Sequence, residues 1–406
     1  MLVSFTGTWM QSTAQSWLIY RLTGSPWLLG LVAFAGQVPI FLFAPVGGVL
    51  ADRHSRHRLI ILTQVLSMAQ ALVLAALTLS NQVTVGAVIT LALLLGMINA
   101  IDLPTRQSFM VELVTKEDLM NAIALNSSMI NGARIVGPAL AGLIVAWVGE
   151  GFCFLFNGLS YVAIIAGLLA MKVGGREVKK PAGSALSDLK EGFLYTRRTR
   201  TVRAVLLLVA FVSIFGLSYI VLMPIFAEEI LRGGARSLGT LLSAAGLGAL
   251  GGALTLAARR EVQGLGRVVA ASVAALGLLL VMFSFSRSLF LSAALLVPIG
   301  FTLMLQMSAS NTLLQTMVPD RLRGRVMSFY SMSLMGMAPF GSLLAGGVAA
   351  RLGATGTIRL GGALCLLGAL VFGLRLPALK RDAVPILIAQ GAMAGEPADT
   401  DTLKTA

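Results

Sequence analysis

Charge is what this 406-residue chain has least of: Asp, Glu, Lys and Arg make up 12% of it, against roughly 25% in an ordinary soluble domain. So little charge excludes a water-covered surface over most of the molecule. Histidine and cysteine are scarcer, at two residues each. His54 and His57 share one basic loop, while Cys153 and Cys365 stand singly in separate apolar runs. These residues offer no metal-ligand spacing, no disulfide framework and no nucleophile beside a base, so no metal or cofactor is expected and a membrane-embedded enzyme is disfavoured. No Walker-type G-x-x-x-x-G-K-[ST] stretch occurs, which argues against an ATP-driven pump.

What is abundant is apolar: 57% of residues are hydrophobic and the mean hydropathy is +0.87. A bilayer core of roughly 30 Å needs about 20 apolar residues per helical crossing. Uninterrupted runs of that length satisfy their backbone in lipid as helices rather than as barrel strands. The runs predict an all-α membrane protein with helices over 3–21, 27–50, 59–79, 83–103, 121–148 and 151–171, then over 204–226, 238–258, 266–285, 288–310, 325–349 and 355–376. The first helix lacks the basic region of a signal peptide and is expected to be retained. Whether the native start lies upstream of Met1 stays open.

The net charge of +14 has to be read by position before a nucleic-acid partner is inferred from it. With the amino terminus placed in the cytoplasm, 24 of the 31 Lys and Arg fall in inward loops and the tail, six fall outward, and Arg134 alone lies inside a helix. That asymmetry places both termini in the cytoplasm and accounts for the basic charge without nucleic acid.

The longest polar stretch, 172–203, splits the hydrophobic runs six and six. The expected organisation is an amino-terminal bundle over 1–171, a cytoplasmic linker over 172–203, a second bundle over 204–376 and a disordered tail over 377–406. Within the linker, Leu186, Leu189 and Phe193 recur at helical spacing, the pattern of an amphipathic helix on the membrane surface. Sliding the chain against itself by 204 residues places Gly132, Gly137, Gly142 and Gly149 on Gly336, Gly341, Gly346 and Gly353, and Gly47 and Gly48 on Gly251 and Gly252. An ordered series of glycines of this kind points to two related six-helix halves.

Between the second and third helices stands Gly48-Val49-Leu50-Ala51-Asp52-Arg53-His54-Ser55-Arg56-His57-Arg58. It resembles the loop signature of the major facilitator superfamily, G-x-x-x-D-R-x-x-R-R/K. The resemblance implies two six-helix bundles rocking about a central cavity. It also implies that Gly48, Asp52, Arg53, Arg56 and Arg58 form a cytoplasmic gate, with Asp52 facing the start of the eleventh helix near Gly324 to Val326 and Arg106 as a further partner. In the second half the equivalent stretch carries Leu256 in place of the acid, so the latch is expected to be one-sided. In the fifth helix, Gly132, Arg134, Gly137, Pro138 and Gly142 resemble the superfamily's antiporter motif, which the resemblance associates with exporters. Small residues there permit close helix approach and Pro138 bends the rod. Gly7 to Ser12 and Asn99 to Gln107 are similar to the enterobactin-exporter-like branch.

Ionisable groups inside a bilayer are costly and therefore functional candidates. Arg134 could hold an anionic substrate or pair with Asp102 or a carbonyl. Asp102 could carry a coupling proton or pair with Arg106 four residues on, as a gate. Gln11, Gln15, Gln37, Asn99, Asn126 and Asn131 suit a polar cavity or helix packing. Glu228 and Glu229 read as solvated flanking charges. The implied function is export of a small molecule, such as a siderophore or amphipathic drug, in exchange for protons, by a multi-pass protein of bacterial inner-membrane type working as a monomer. A uniporter or importer, and a non-transporting sensor, are the rival readings.

Overall fold

A computed structural model describes residues 1–115, 117–171, 185–259 and 264–389. The first half runs α1 (Leu2–Thr23), α2 (Pro26–Arg53), α3 (Arg56–Leu79), α4 (Val85–Leu113), α5 (Leu119–Val148) and α6 (Glu150–Ala170). A connecting helix α7 (Ala185–Arg198) leads to α8 (Arg200–Phe215), which passes through a 3-10 turn (Ser218–Leu222), the short α9 (Met223–Ile225) and a π turn (Phe226–Ile230). Then follow α10 (Gly234–Ala257), α11 (Leu265–Phe285), α12 (Leu289–Met317), α13 (Asp320–Ser331), a second π turn (Met332–Gly336) and α14 (Ala338–Ala389). α14 contains the break between the last two crossings at Gly353, φ 72°.

Among the described residues ten helices are long and apolar enough to cross a membrane, and the last of these, Asp320–Ala383, holds two crossings. With the more polar α1, this gives the twelve membrane helices read from the sequence, in two six-helix bundles. Local chemistry sets the joints. Ser25 accepts the backbone N–H of Leu28 at 3.4 Å ahead of Pro26, and Thr84 accepts that of Ala87 at 3.2 Å, so both cap the helices they precede.

The glycine series is the fold's internal symmetry in physical form. A methyl on Gly142 would lie 2.8 Å from the carbonyl oxygen of Ala235 and 3.0 Å from Cα of Gly239, where α5 crosses α10 of the other half. A methyl on Gly346 would lie 2.6 Å from the carbonyl of Pro26 and 3.1 Å from Cα of Gly30, where α14 crosses α2 of the first half. Gly137 meets α1 at Thr6 and Trp9, and its counterpart Gly341 meets α8 at Ile214. Gly149 and Gly353 both turn the chain with positive φ, 92° and 72°.

Several boundaries differ from the sequence expectation. The helix expected over 83–103 runs on through Pro104 to Leu113. Pro104 has no N–H for the carbonyl of Ala100, and Gly47 of α2 packs directly on that carbonyl. The helix expected unbroken over 204–226 is interrupted after Phe215. The expected disordered tail is helical as far as Ala389, because Leu379 and Ala383 are buried and Thr201 donates to the carbonyl of Leu379 at 3.1 Å. The rest of that tail, and linker residues 172–184, lie outside the described residues. α7 forms where an amphipathic helix was expected, and it docks on α13: Glu191 pairs with Arg321 at 3.2 Å and with Arg325, and the Phe193 and Phe329 rings lie 6.3 Å apart.

Candidate functional site

Contacts between the halves are spread unevenly along the helices. The end carrying the 51–58 loop is the basic end. On α2 the contacts run from Pro26 to Phe41, which meets Gly336 and sits 5.9 Å from the Phe340 ring. Leu42, Phe43, Val46 and Val49, further toward the basic end, are exposed. On α5 the contacts run from Arg134, whose carbonyl faces Gly246, to Gly142. Pro138 leaves that Arg134 carbonyl without its helical donor, and a glycine is what lets α10 approach it. At the far end the phenol of Tyr20 in α1 donates to Glu229 at 2.8 Å across the two halves. Glu229 is therefore a tie between halves rather than the solvated flanking charge expected of it.

Beneath these crossings lies a cavity of about 330 Å³, within the usual range for small-molecule sites. Its polar lining comes mainly from the first half, with Gln15, Ser16, Gln37 and Asn99 among apolar neighbours such as Trp9 and Val32; its second-half wall is apolar apart from Tyr219, with Ile220, Val221, Leu242 and Ala245. The break in the seventh crossing places Tyr219 to Val221 on that wall in a 3-10 turn, an irregularity that recurs where membrane helices line a cavity. Sequence reading missed this wall. Its signals were Gly216, where a methyl would meet the carbonyl of Val212 at 2.8 Å, and Pro224 shortly beyond.

Arg134 also lines the cavity, and no Asp, Glu, Lys or His does among the described residues. Its guanidinium carbon stands 5.5 Å from the centroid of the Trp9 ring, a cation–π distance. A charge at this depth costs at least about 2.5–3.5 kcal/mol on insertion scales. The pairing with Asp102 weighed from the sequence is absent. Asp102 is buried and accepts from Thr63 Oγ1 at 2.7 Å, Gln64 Nε2 at 2.9 Å and Arg106 Nε at 3.1 Å. Arg106 in turn lies 5.3 Å from the Phe5 ring centroid.

Of the candidate amides, Gln11, Gln15, Gln37 and Asn99 line the cavity. Gln11 is also committed to packing: it accepts from Asn157 at 2.7 Å and donates to Gln70 at 3.0 Å, tying α6, α1 and α3 together. Asn126 and Asn131 are not part of the lining. They sit nearer the basic end of α5, where Asn131 donates to the carbonyl of Ser127 on its own helix at 2.9 Å.

At the basic end Asp52 is half-exposed and bonds only within its own half, to Arg56 at 3.1 Å; Arg56 also holds Glu112 at 2.6 Å. Arg53 and Arg58 are exposed. Neither Gly48 nor Gly324 has anything within 4 Å of where a Cβ would sit. The expected approach of Asp52 and Gly48 to the start of α13 is not made in this state, because the halves are apart there. Of the antiporter-like glycines, Gly137 and Gly142 make close helix contacts and Gly132 faces open space.

The Asp102 cluster carries a stability prediction. Asp102→Ala strands Arg106 and Gln64 without their acceptor and leaves Thr63 only the carbonyl of Ile60, and breaking a buried ion pair from one side costs about 3 kcal/mol or more. Thermal unfolding of the purified protein should show a clear drop in midpoint. An unchanged midpoint would mean the cluster contributes nothing to the fold.

Comparison with known proteins adds family and fold. The transmembrane secretion effector family matches residues 1–398. The chain is 27% identical to the staphyloferrin A transporter of Staphylococcus aureus (84% of this chain, 85% of that protein). It is 26% identical to the multidrug efflux pump Tap of Mycolicibacterium fortuitum (86% and 87%) and 24% identical to the enterobactin exporter EntS of Shigella boydii (82% and 80%). Among solved structures it resembles the nucleoside transporter NupG, with a TM-score of 0.71 at 15% identity over 92% of this chain and 98% of that one. It also resembles a bacterial homologue of the lysosomal transporter Spinster in an inward-facing, unoccupied conformation, with a TM-score of 0.64 at 16% identity over 98% and 97%.

Proposed function

From the premise that this chain belongs to the transmembrane secretion effector family of the major facilitator superfamily, a family of membrane transporters and not of enzymes, we propose that it exports a small organic molecule by alternating access, in exchange for protons. The observation that carries this reading is the cavity closed from the far end by the α5–α10 and α2–α14 crossings, while the contacts between halves stop at mid-depth toward the basic end. With the basic end and both termini in the cytoplasm, as the distribution of Lys and Arg supports, this is the state that loads cargo from inside. Glycine-to-backbone crossings at the far end then part to release it. The named relatives favour a siderophore or an amphipathic drug as cargo.

A uniporter is the second reading, and one observation favours it. No carboxyl group lines the cavity among the described residues, and the oxygens of Asp102 are already engaged by three side chains. Everted membrane vesicles containing the protein separate the two. Uptake of fluorescent amphipathic compounds or siderophores into them should be concentrative and should collapse with a protonophore. Uptake that only equilibrates and ignores the protonophore would establish uniport, and no uptake of any compound by folded protein would overturn export.

A further inference from the structure

The charge pattern of the cavity narrows the cargo, on the premise that this cavity is the transport site. Arg134 projects into it from α5 with its guanidinium near the face of Trp9, and among the described residues it has neither a carboxylate at ion-pair distance nor a hydrogen-bond acceptor. Two other buried charges in the crossings are matched, Asp102 by Arg106 and Glu150 by Arg21. The N–H donors of a permanently charged, planar group therefore stand at the cavity without a protein hydrogen-bond acceptor among the described residues, the Trp9 face being their neighbour. Their fork matches the two oxygens of a carboxylate. The second-half lining of the same cavity, Ile220, Val221, Leu242 and Ala245 beside the phenol of Tyr219, is otherwise apolar. We propose that the cavity selects amphipathic organic anions, and specifically a carboxylate carried on an apolar body, with Arg134 binding the carboxylate and the second-half wall taking the body.

A matched pair of probes isolates the charge. Dansylglycine and its primary amide share one fluorescent apolar body and differ only in carrying a carboxylate. Binding to the purified wild-type protein in nanodiscs, read as dansyl emission, should be about tenfold or more tighter for the acid, the factor expected of one charge-assisted contact. Arg134→Gln should weaken the acid to the level of the amide and leave the amide unchanged, and Arg134→Lys should restore part of the preference as a charge without the fork. Equal wild-type affinities for acid and amide would overturn the assignment, as would a preference that persists in Arg134→Gln. The wild-type ratio needs no variant, so an Arg134→Gln chain that fails to fold leaves the test in place. An acid preference in a protein that moves no compound across vesicles overturns export alone. Export by a protein without the preference overturns only the assignment to anions.

Discussion

Gly142→Val and Gly346→Val should each cut transport about tenfold or more while the protein still inserts and folds. At both positions the new side chain meets backbone: the carbonyl of Ala235 and Cα of Gly239 in one case, the carbonyl of Pro26 and Cα of Gly30 in the other. Backbone cannot rotate away as a side-chain tip can, so the helices must separate, and overpacking of this kind costs about 1–3 kcal/mol. That cost falls only on the state in which the far end is closed. A bias of about 2 kcal/mol between two states shifts their ratio about thirtyfold. The protein would then rest with its far end open, and the rate of return would limit the cycle. Spin labels at Gln82 and Arg287, exposed positions at the far end of either half, should report a longer distance in the variants than in the parent. The paired positions make the prediction stringent, because the symmetry requires the two substitutions to act alike. Full transport by either variant would mean that the crossing it occupies does not part.

Those two glycines also show how far the sequence could be read. Their spacing of 204 residues was visible without any structure, and it marks equivalent crossings because at both places even a methyl would meet the backbone of the partner helix. The twelve crossings were legible for a related reason, since lipid imposes length and apolarity on every span. The cavity was legible only on its polar side. Gln15, Gln37 and Asn99 stand out against an apolar background, whereas Ile220, Val221, Leu242 and Ala245 are indistinguishable in sequence from residues that face lipid or neighbouring helices. The break that presents Tyr219 was hidden because a short 3-10 turn leaves the hydropathy of the run unchanged. Asn126 and Asn131 mislead for the converse reason: an amide in a helix is conspicuous wherever it points, and Asn131 spends its donor on the carbonyl of Ser127. The helical stretch to Ala389 was missed because its support comes from α8, far away in the chain.

Asp52→Asn should leave thermal stability almost unchanged and still reduce transport about tenfold. In the state described, Asp52 is half-exposed and its one ionic partner, Arg56, keeps Glu112 at 2.6 Å when the charge is removed. Pairs this exposed contribute about 0–1 kcal/mol, so the melting midpoint of the purified protein should hardly move. The cost is expected elsewhere in the cycle. For the basic end to close, α2 must approach the start of α13, where Gly48 and Gly324 both now face open space and so leave room for close contact. There the carboxylate would meet the positive end of a helix, an interaction worth up to about 2 kcal/mol when partly buried. Glu191 of α7 already holds Arg321 and Arg325 on that same turn. Asp52 therefore arrives at a site whose arginines have a partner, and its gain comes from the helix end itself. Since the second half has Leu256 at the equivalent place, no second acid can substitute. Transport by Asp52→Asn at the parent rate would sink the latch, and a large fall in melting midpoint would relocate the role of Asp52 to the state with the basic end open.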